Sequence, residues 1–301
     1  MSDNHNSVAG ETTTGHVWDD DLGDLTNQPP KWWMLGLTAS AIWVVVYFTM
    51  YPALPFAISG TYFKGVGLPG SGQWTAIKEL AEDQAVLDAV RKPYEDKLEK
   101  LTPAAILADA DLSKYVERSG RVLFADKCAA CHGQNGVGSV QMGAKFEARE
   151  RGLMAPVLND DDWLYGGSID TIHQTIAGGR QGMMVAHKDI LSAAEIDTLA
   201  NAVAQGNPNS TPLFSEKGCT GCHGADGKGM QMMGSANLTD KIWRFDGSVE
   251  GIKHTITHGV NSGDPDARVA VMPDFTTSGT LTPVQMKKLA VYVHKLGGGT
   301  Q

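Results

Sequence analysis

Apolar and polar positions follow three regimes along the chain. Residues 32–51 form a run of 20 without a charged side chain. At about 1.5 Å rise per helical residue, that run spans a hydrocarbon core of about 30 Å. Trp32 and Trp33 stand at one end and Tyr47, Phe48 and Tyr51 at the other, as suits rings that favour the headgroup boundary. The pattern predicts a single membrane-spanning helix over residues 32–54, after a tail over 1–31. A cleaved secretory leader fits less well: the flank is acidic, and the small triplet Ala39-Ser40-Ala41 lies inside the apolar run. Pro52, Pro55 and the glycines at 60, 65, 67, 70 and 72 then predict irregular chain. Residues 74–101 read as a heavily charged helix interrupted at Pro93, a solvated spacer. Linker and spacer together fill 55–112.

Beyond residue 112 the apolar spacing is helical and occurs twice. Residues 131–138, Cys-His-Gly-Gln-Asn-Gly-Val-Gly, match residues 222–229, Cys-His-Gly-Ala-Asp-Gly-Lys-Gly. Leu158, Asp160, Trp163, Gly167, Ser168, Ile172 and Gly179 recur in order as Leu238, Asp240, Trp243, Gly247, Ser248, Ile252 and Gly259. The last element, residues 191–203, recurs as 281–293. It opens in both copies with a capping-box pattern, Ser192 with Glu195 and Thr282 with Gln285. Leu191, Ile196, Leu199, Ala200 and Val203 make one apolar face, and Leu281, Met286, Leu289, Ala290 and Val293 its counterpart, both read as core. Each copy runs from a helix carrying Leu-Phe (Leu123-Phe124, Leu213-Phe214) to this final helix. The modules are placed at 113–205 and 209–298, mainly helical, with 205–209 as linker.

Charge removes one class of partner. The formal net charge is −9. The first 30 residues hold Asp3, Glu11, Asp19, Asp20, Asp21 and Asp24 without a Lys or Arg. A nucleic-acid surface needs clustered Lys/Arg to replace phosphate counterions, and no such cluster is present. Asp19-Asp20-Asp21 and Asp160-Asp161-Asp162 read as solvated charge runs.

The four cysteines fall as Cys128/Cys131 and Cys219/Cys222, each pair followed by a histidine, His132 or His223. Cys-x-x-Cys-His is the attachment signature of haem c: two thiols add across the vinyl groups and the adjacent histidine faces iron. A thioredoxin-like dithiol would want a β/α surround, and one zinc site using both pairs gives no reason for a pair in each module. Disulfides are the remaining alternative. The pattern predicts two covalently bound haems c, one per module, each the main core-forming group of a small domain.

The sixth iron ligand decides whether a haem carries electrons or binds a small molecule. Met272, followed by Pro273, is the candidate in the second copy; in the first, Met183 and Met184 are adjacent and Met184 is preferred. His173, His187, His254, His258 and His294 keep bis-histidine ligation open. Met142, Met154, Met230, Met232 and Met233 read as packing. His254 and His258 share a helix face like a metal pair, without an evident third ligand. Trp163 and Trp243 could donate to a haem propionate, with packing the default. No nucleophile motif or phosphate-cradling loop is present, so the expected activity is electron transfer.

Taken in order, these parts resemble a known family. Trp18-Asp19-Asp20-Asp21-Leu22, Asn27-Gln28-Pro29-Pro30-Lys31-Trp32-Trp33, the single anchor, Gly179-Arg180-Gln181-Gly182 and the two haem motifs are similar to the dihaem subunit, called CcoP or FixP, of cbb3-type cytochrome c oxidases. The resemblance implies an N-terminal transmembrane helix followed by two tandem class I type cytochrome c domains in a bacterial inner membrane. It implies electrons accepted from a soluble or membrane-bound donor cytochrome c and passed to a monohaem subunit and a catalytic haem-copper subunit. Oxygen reduction and proton pumping would occur on that catalytic chain. It further implies crossed ligation: Met272 to the iron of the haem held by Cys128, Cys131 and His132, and Met184 to that held by Cys219, Cys222 and His223. Met184-Val185 departs from the Met-Pro usual in the family. Because apocytochromes are exported before haem attachment, the modules are expected in the periplasm and the N-terminus in the cytoplasm. A dihaem peroxidase, an anchored cytochrome serving a dehydrogenase and a redox sensor are the competing classes.

Overall fold

The computed structural model describes residues 13–18, 22–51, 57–58, 61–62, 67, 73–138 and 155–299. Residues 19–21, most of the Gly- and Pro-containing stretch after residue 51, Met142 and Met154 lie outside the described residues. The chain divides into two compact units, Met1–Val90 and Arg91–Gln301.

In the first unit, strands β1 (Thr13–Trp18) and β2 (Leu22–Leu25) pair antiparallel, with Trp18 opposite Leu22. The leader expected as a plain tail therefore carries a strand pair. Its sequence lacks the apolar alternation that announces strands. Side-chain contacts hold it instead: the Trp18 indole donates to Asp24 Oδ2 at 3.1 Å and lies 4.6 Å from the His16 ring. Helix α1 (Lys31–Met50) is 20 residues long, and none of them is buried against the rest of the chain, so its apolar surface is all outward. A short pair, β3 (Ala57–Ile58) and β4 (Thr61–Tyr62), follows.

Helix α2 (Ala76–Lys100) corrects a second expectation, since it continues through Pro93. Proline deletes one N–H and crowds the preceding turn, yet the turns beyond it are held by packing. Tyr94 stacks on Tyr115 at 4.6 Å, Glu95 accepts from the Tyr115 hydroxyl and pairs with Lys288, and Leu98 is wholly buried.

The second unit is built from short helices with side-chain caps. Helix α3 (Pro103–Ala108) is capped by Thr102, and α4 (Ala110–Lys127) by Asp109, which accepts from the N–H groups of Asp111 and Leu112. The single turn α5 (Ala129–His132) and helix α6 (Ile169–Gly178), capped by Ser168, complete the first repeat's body. After β5 (Arg180–Gln181) comes α7 (Ala193–Ala204), with the Ser192/Glu195 capping box formed as expected. In the second repeat the Leu-Phe helix shrinks to one turn, α8 (Leu213–Glu216), because prolines at 208 and 212 precede it and Gly218 at φ +79° follows. Then come α9 (Thr220–His223), α10 (Val249–His258), β6 (Val271–Met272) and α11 (Pro283–His294), the last with its Thr282/Gln285 capping box.

The two predicted apolar faces are buried, but each docks on the other repeat's body. Leu281, just before α11, and Met286, Leu289, Ala290 and Val293 of α11 join Phe124, Ile172 and Ile176 of the first repeat. Leu191, just before α7, and Ile196 and Leu199 of α7 pack with Phe214, and Ala200 and Val203 with Ile252, both partners in the second repeat's helices. Helix packing thus crosses between the stretches 113–205 and 209–298. The short connection after α7, through the Pro208–Ser210 turn, drops α7 onto the body that follows it. Helix α11, near the end of the chain, returns to α4 and α6.

Candidate haem sites

Each cysteine motif sits on a helix end followed by a single turn. Cys128 ends α4, its N–H donating to the Phe124 carbonyl, and α5 carries Cys131 and His132. Cys219 opens α9, which carries Cys222 and His223. No disulfide joins any of the four cysteines. Burial, with Cys131 alongside, pushes the Cys128 thiol up to about 11.

The two histidines are set identically. His132 Nδ1 lies 3.0 Å from the Pro156 carbonyl and His223 Nδ1 3.0 Å from that of Ala236. Donation from Nδ1 fixes the tautomer and leaves the Nε2 lone pair for a metal. Burial lowers both imidazoles from their ordinary pKa, keeping them neutral as ligation requires.

The first motif faces a mostly apolar cavity built from both repeats. Cys128, Cys131, His132, Phe124, Ile172 and Ile176 line it from the first repeat. Met272, Pro273, Phe275 and Val293 line it from the second. A flat apolar ring with two thiol anchors, an imidazole and a thioether at its iron fits this donor set.

A backbone ladder holds Met272 there. Arg180 pairs with Met272 and Gln181 with Val271, and the Gly182 N–H donates to Ala270 O at 3.0 Å. The related contact places Met184: its N–H donates to Val260 O and the Val260 N–H donates back to Met184 O, both at 2.9 Å. Two glycines allow these approaches. A Cβ on Gly179, at φ +63°, would stand 2.5 Å from Met272 O, and one on Gly259, at φ +75°, 2.3 Å from Met184 O. Of the adjacent methionines, Met183 is 77% exposed while Met184 is partly buried.

Around the second motif, Leu191, Leu199 and Phe214 pack with Cys219, Leu238 and Ile256. His187 lies near enough that its charge acts on His223, and its Nδ1 is buried without a hydrogen-bond partner among the described residues. The other histidines named from sequence are differently engaged. His254 Nε2 lies 2.9 Å from Asp266 O, and His258 Nδ1 lies 3.0 Å from Asp264 Oδ1. Asp264 and Asp266 thus supply the further ligand atoms that sequence did not reveal beside His258. Asp264 is already paired with Lys188, so the cluster reads as a hydrogen-bonded brace.

Trp163 packs in the cavity wall, the role taken as its default, and donates its indole N–H to the Gly298 carbonyl. Asp162 is not a simple solvated acid: it lines the cavity, and burial, with Asp240 and Asp160 nearby, pushes it up to about 6. Arg244, which no sequence motif marks, lines the first cavity from the second repeat.

Comparison with known proteins shows the family to which the chain belongs. The family model for the N-terminal domain of cytochrome oxidase-cbb3, FixP, matches residues 10–57. The model for cytochrome c oxidase, cbb3-type, subunit III matches 116–201, and that for cytochrome c matches 211–297. The chain is 37% identical to the cbb3-type cytochrome c oxidase subunit FixP of Bradyrhizobium diazoefficiens, over 97% of each chain. It is 36% identical to FixP of Azorhizobium caulinodans, over 99% of this chain and 100% of that one. With the CcoP subunit of Rhodobacter capsulatus it shares 32% identity, over 95% of this chain and 96% of the relative. With an apolar helix at its N-terminal end and two cytochrome c-type domains that imply c-type haem, the chain belongs to the FixP/CcoP family of cbb3-type cytochrome c oxidase subunits.

Proposed function

We propose that this chain is the membrane-anchored dihaem subunit through which a cbb3-type oxidase receives electrons. It takes them from a periplasmic or membrane-bound cytochrome c and passes them to the monohaem and haem-copper subunits, where oxygen is reduced. One haem c is held by Cys128 and Cys131 with His132 and Met272 on its iron, the other by Cys219 and Cys222 with His223 and Met184. Supplied with these ligands, haem contributes a one-electron couple. The residues of this chain hold it, keep water from it and fill both axial positions, which suits transfer rather than substrate binding. The observation that carries this reading is the cavity in which Cys128, Cys131 and His132 meet Met272 of the other repeat. The α1 helix anchors the chain, with the N-terminus cytoplasmic and the haem domains periplasmic.

Purification in mild detergent tests the assignment. The chain is expected to bring with it a b-type haem and copper; a native complex without either would refute it. A reporter fused to the C-terminus is expected to be active only in a periplasmic format, and activity only in a cytoplasmic one would reject the topology.

The buried Nδ1 of His187, without a hydrogen-bond partner among the described residues, favours a second reading for the second haem alone: bis-histidine ligation by His223 and His187. The near-infrared sulfur-to-iron charge-transfer band of the oxidised protein separates the two. Its full intensity for two haems supports Met184, and half intensity supports His187.

A further inference from the structure

One side chain grips the backbone two residues before each candidate axial methionine. Asn261, in the loop after α10, donates from Nδ2 to Gly182 O at 2.6 Å and to Ala270 O at 3.0 Å. Its Oδ1 accepts from the Ala270 N–H at 3.2 Å. Gly182 stands two residues before Met184, and Ala270 two residues before Met272. The Gly182 N–H also donates to Ala270 O, at 3.0 Å. Val260, just before Asn261, exchanges two backbone hydrogen bonds with Met184, both at 2.9 Å. The methionine loops, one from each repeat, therefore meet on a single amide.

Asn261 adopts φ +46°, the one left-handed non-glycine backbone among the described residues. Asparagine tolerates that region better than most residues. The conformation still costs free energy and persists where its surroundings over-determine it. Here they do so through the three side-chain bonds and the Asn261 N–H, which donates to Arg268 O at 2.8 Å. The first repeat has no counterpart. Gly179 corresponds to Gly259, so Gln181 takes the place of Asn261, and it is exposed and paired with Val271 in β5. An axial ligand is held in place by hydrogen bonds to the chain that carries it. The second copy alone supplies them to both loops through one side chain.

We propose that Asn261 is the positioning residue for both sixth ligands. It sets the Met184 and Met272 loops as one unit, so that the two thioethers are engaged or released together. This rests on Met184 and Met272 ligating the two irons, and the unmodified chain is therefore measured first.

The full chain, loaded with haem, is compared with its Asn261→Gly variant. Glycine keeps the left-handed backbone without strain and removes only the amide side chain. The oxidised proteins are titrated with imidazole, which replaces a thioether on iron, and the sulfur-to-iron charge-transfer band is followed. Hydrogen exchange over residues 180–186 and 268–274, both midpoint potentials and haem content are measured alongside. The imidazole concentration that removes half the band is expected to fall about tenfold in the variant, as the loss of about two net hydrogen bonds allows. Both haems take part, both midpoints fall, both loops exchange faster, and haem content is unchanged. Thr102→Ala, which removes the cap of α3, weakens the fold by a comparable amount and leaves the imidazole titration parental. A parental titration in Asn261→Gly, a change confined to one haem or one loop, or an equal change in Thr102→Ala would overturn the proposal. Should Asn261→Gly fail to retain haem, Asn261→Asp keeps the Oδ1 acceptor and loses both donated hydrogen bonds. The same joint change there supports the proposal, and a parental titration overturns it. An unmodified chain whose band lacks the intensity of two haems would instead refute the ligation on which the proposal rests, and the proposal with it.

Discussion

Arg180 and Met272 are antiparallel strand partners, one in each repeat. This pairing lies beside the thioether that lines the first motif's cavity, and the Met184–Val260 bridge joins the repeats a second time. The cavity beside the first cysteine motif is therefore complete only when both repeats have folded together.

Ligation by Met272 can be tested by substitution. Met272→His should remove a sulfur ligand from one haem and replace it with imidazole, lowering one midpoint potential markedly while the other stays within error. The sulfur-to-iron charge-transfer band should lose intensity in the same variant. If both midpoints move, or the band keeps its full intensity, Met272 is not an axial ligand.

Gly259 makes a second test, aimed at Met184. Alanine there meets both the left-handed backbone at φ +75° and the Met184 carbonyl, 2.3 Å from the added carbon. Strain of about 1–3 kcal/mol is expected from the backbone alone. The variant should unfold at a lower temperature, and the loop carrying Met184 should exchange amide hydrogens faster. Parental behaviour in both would show that the approach of the two loops is not required.

Exchange of the last helices gives an asymmetric result. Thr282→Ala removes the cap of α11, at a cost of about 1 kcal/mol, and α11 packs on α4 and α6. Faster hydrogen exchange is expected in α4 and α6 of the first repeat. Ser192→Ala should instead loosen α10. The reverse distribution would mean that each helix packs on its own repeat.

Acid stability supplies a further check. Hydrogen bonding to Lys217, then to Ser192, holds the Glu195 carboxyl down to about 2, against an ordinary 4.5. A depressed folded-state pKa contributes stability that is fully present above 4.5 and is lost as pH falls toward 2. Glu195→Gln should therefore melt below the parent near neutral pH, with the gap closing across that acid window. A gap that stays constant with pH would mean that the carboxylate charge plays no part.

What was legible in the sequence is what depends on short range. The length of the 32–51 run, both capping boxes, the Cys-x-x-Cys-His turns and the burial of both apolar faces are local properties, and each is present in the structure. The destination of those faces was not legible. Leu199 and Leu289 occupy equivalent positions on equivalent helices, and either would fit beside Phe124 or Phe214. Residue type cannot choose between two copies of one partner; the short link after α7 does. Pro93 misled in another way, since its local cost is outweighed by Leu98 and Tyr94 packing against residues distant in sequence. Asp264 and Arg244 reach their neighbours only through the folded loops, so no spacing rule marks them.

The most direct test of the whole account is the intact mass of the denatured polypeptide. A chain heavier by two haems is expected after all non-covalent contacts are destroyed. A mass equal to the bare polypeptide, or to one haem added, would contradict it.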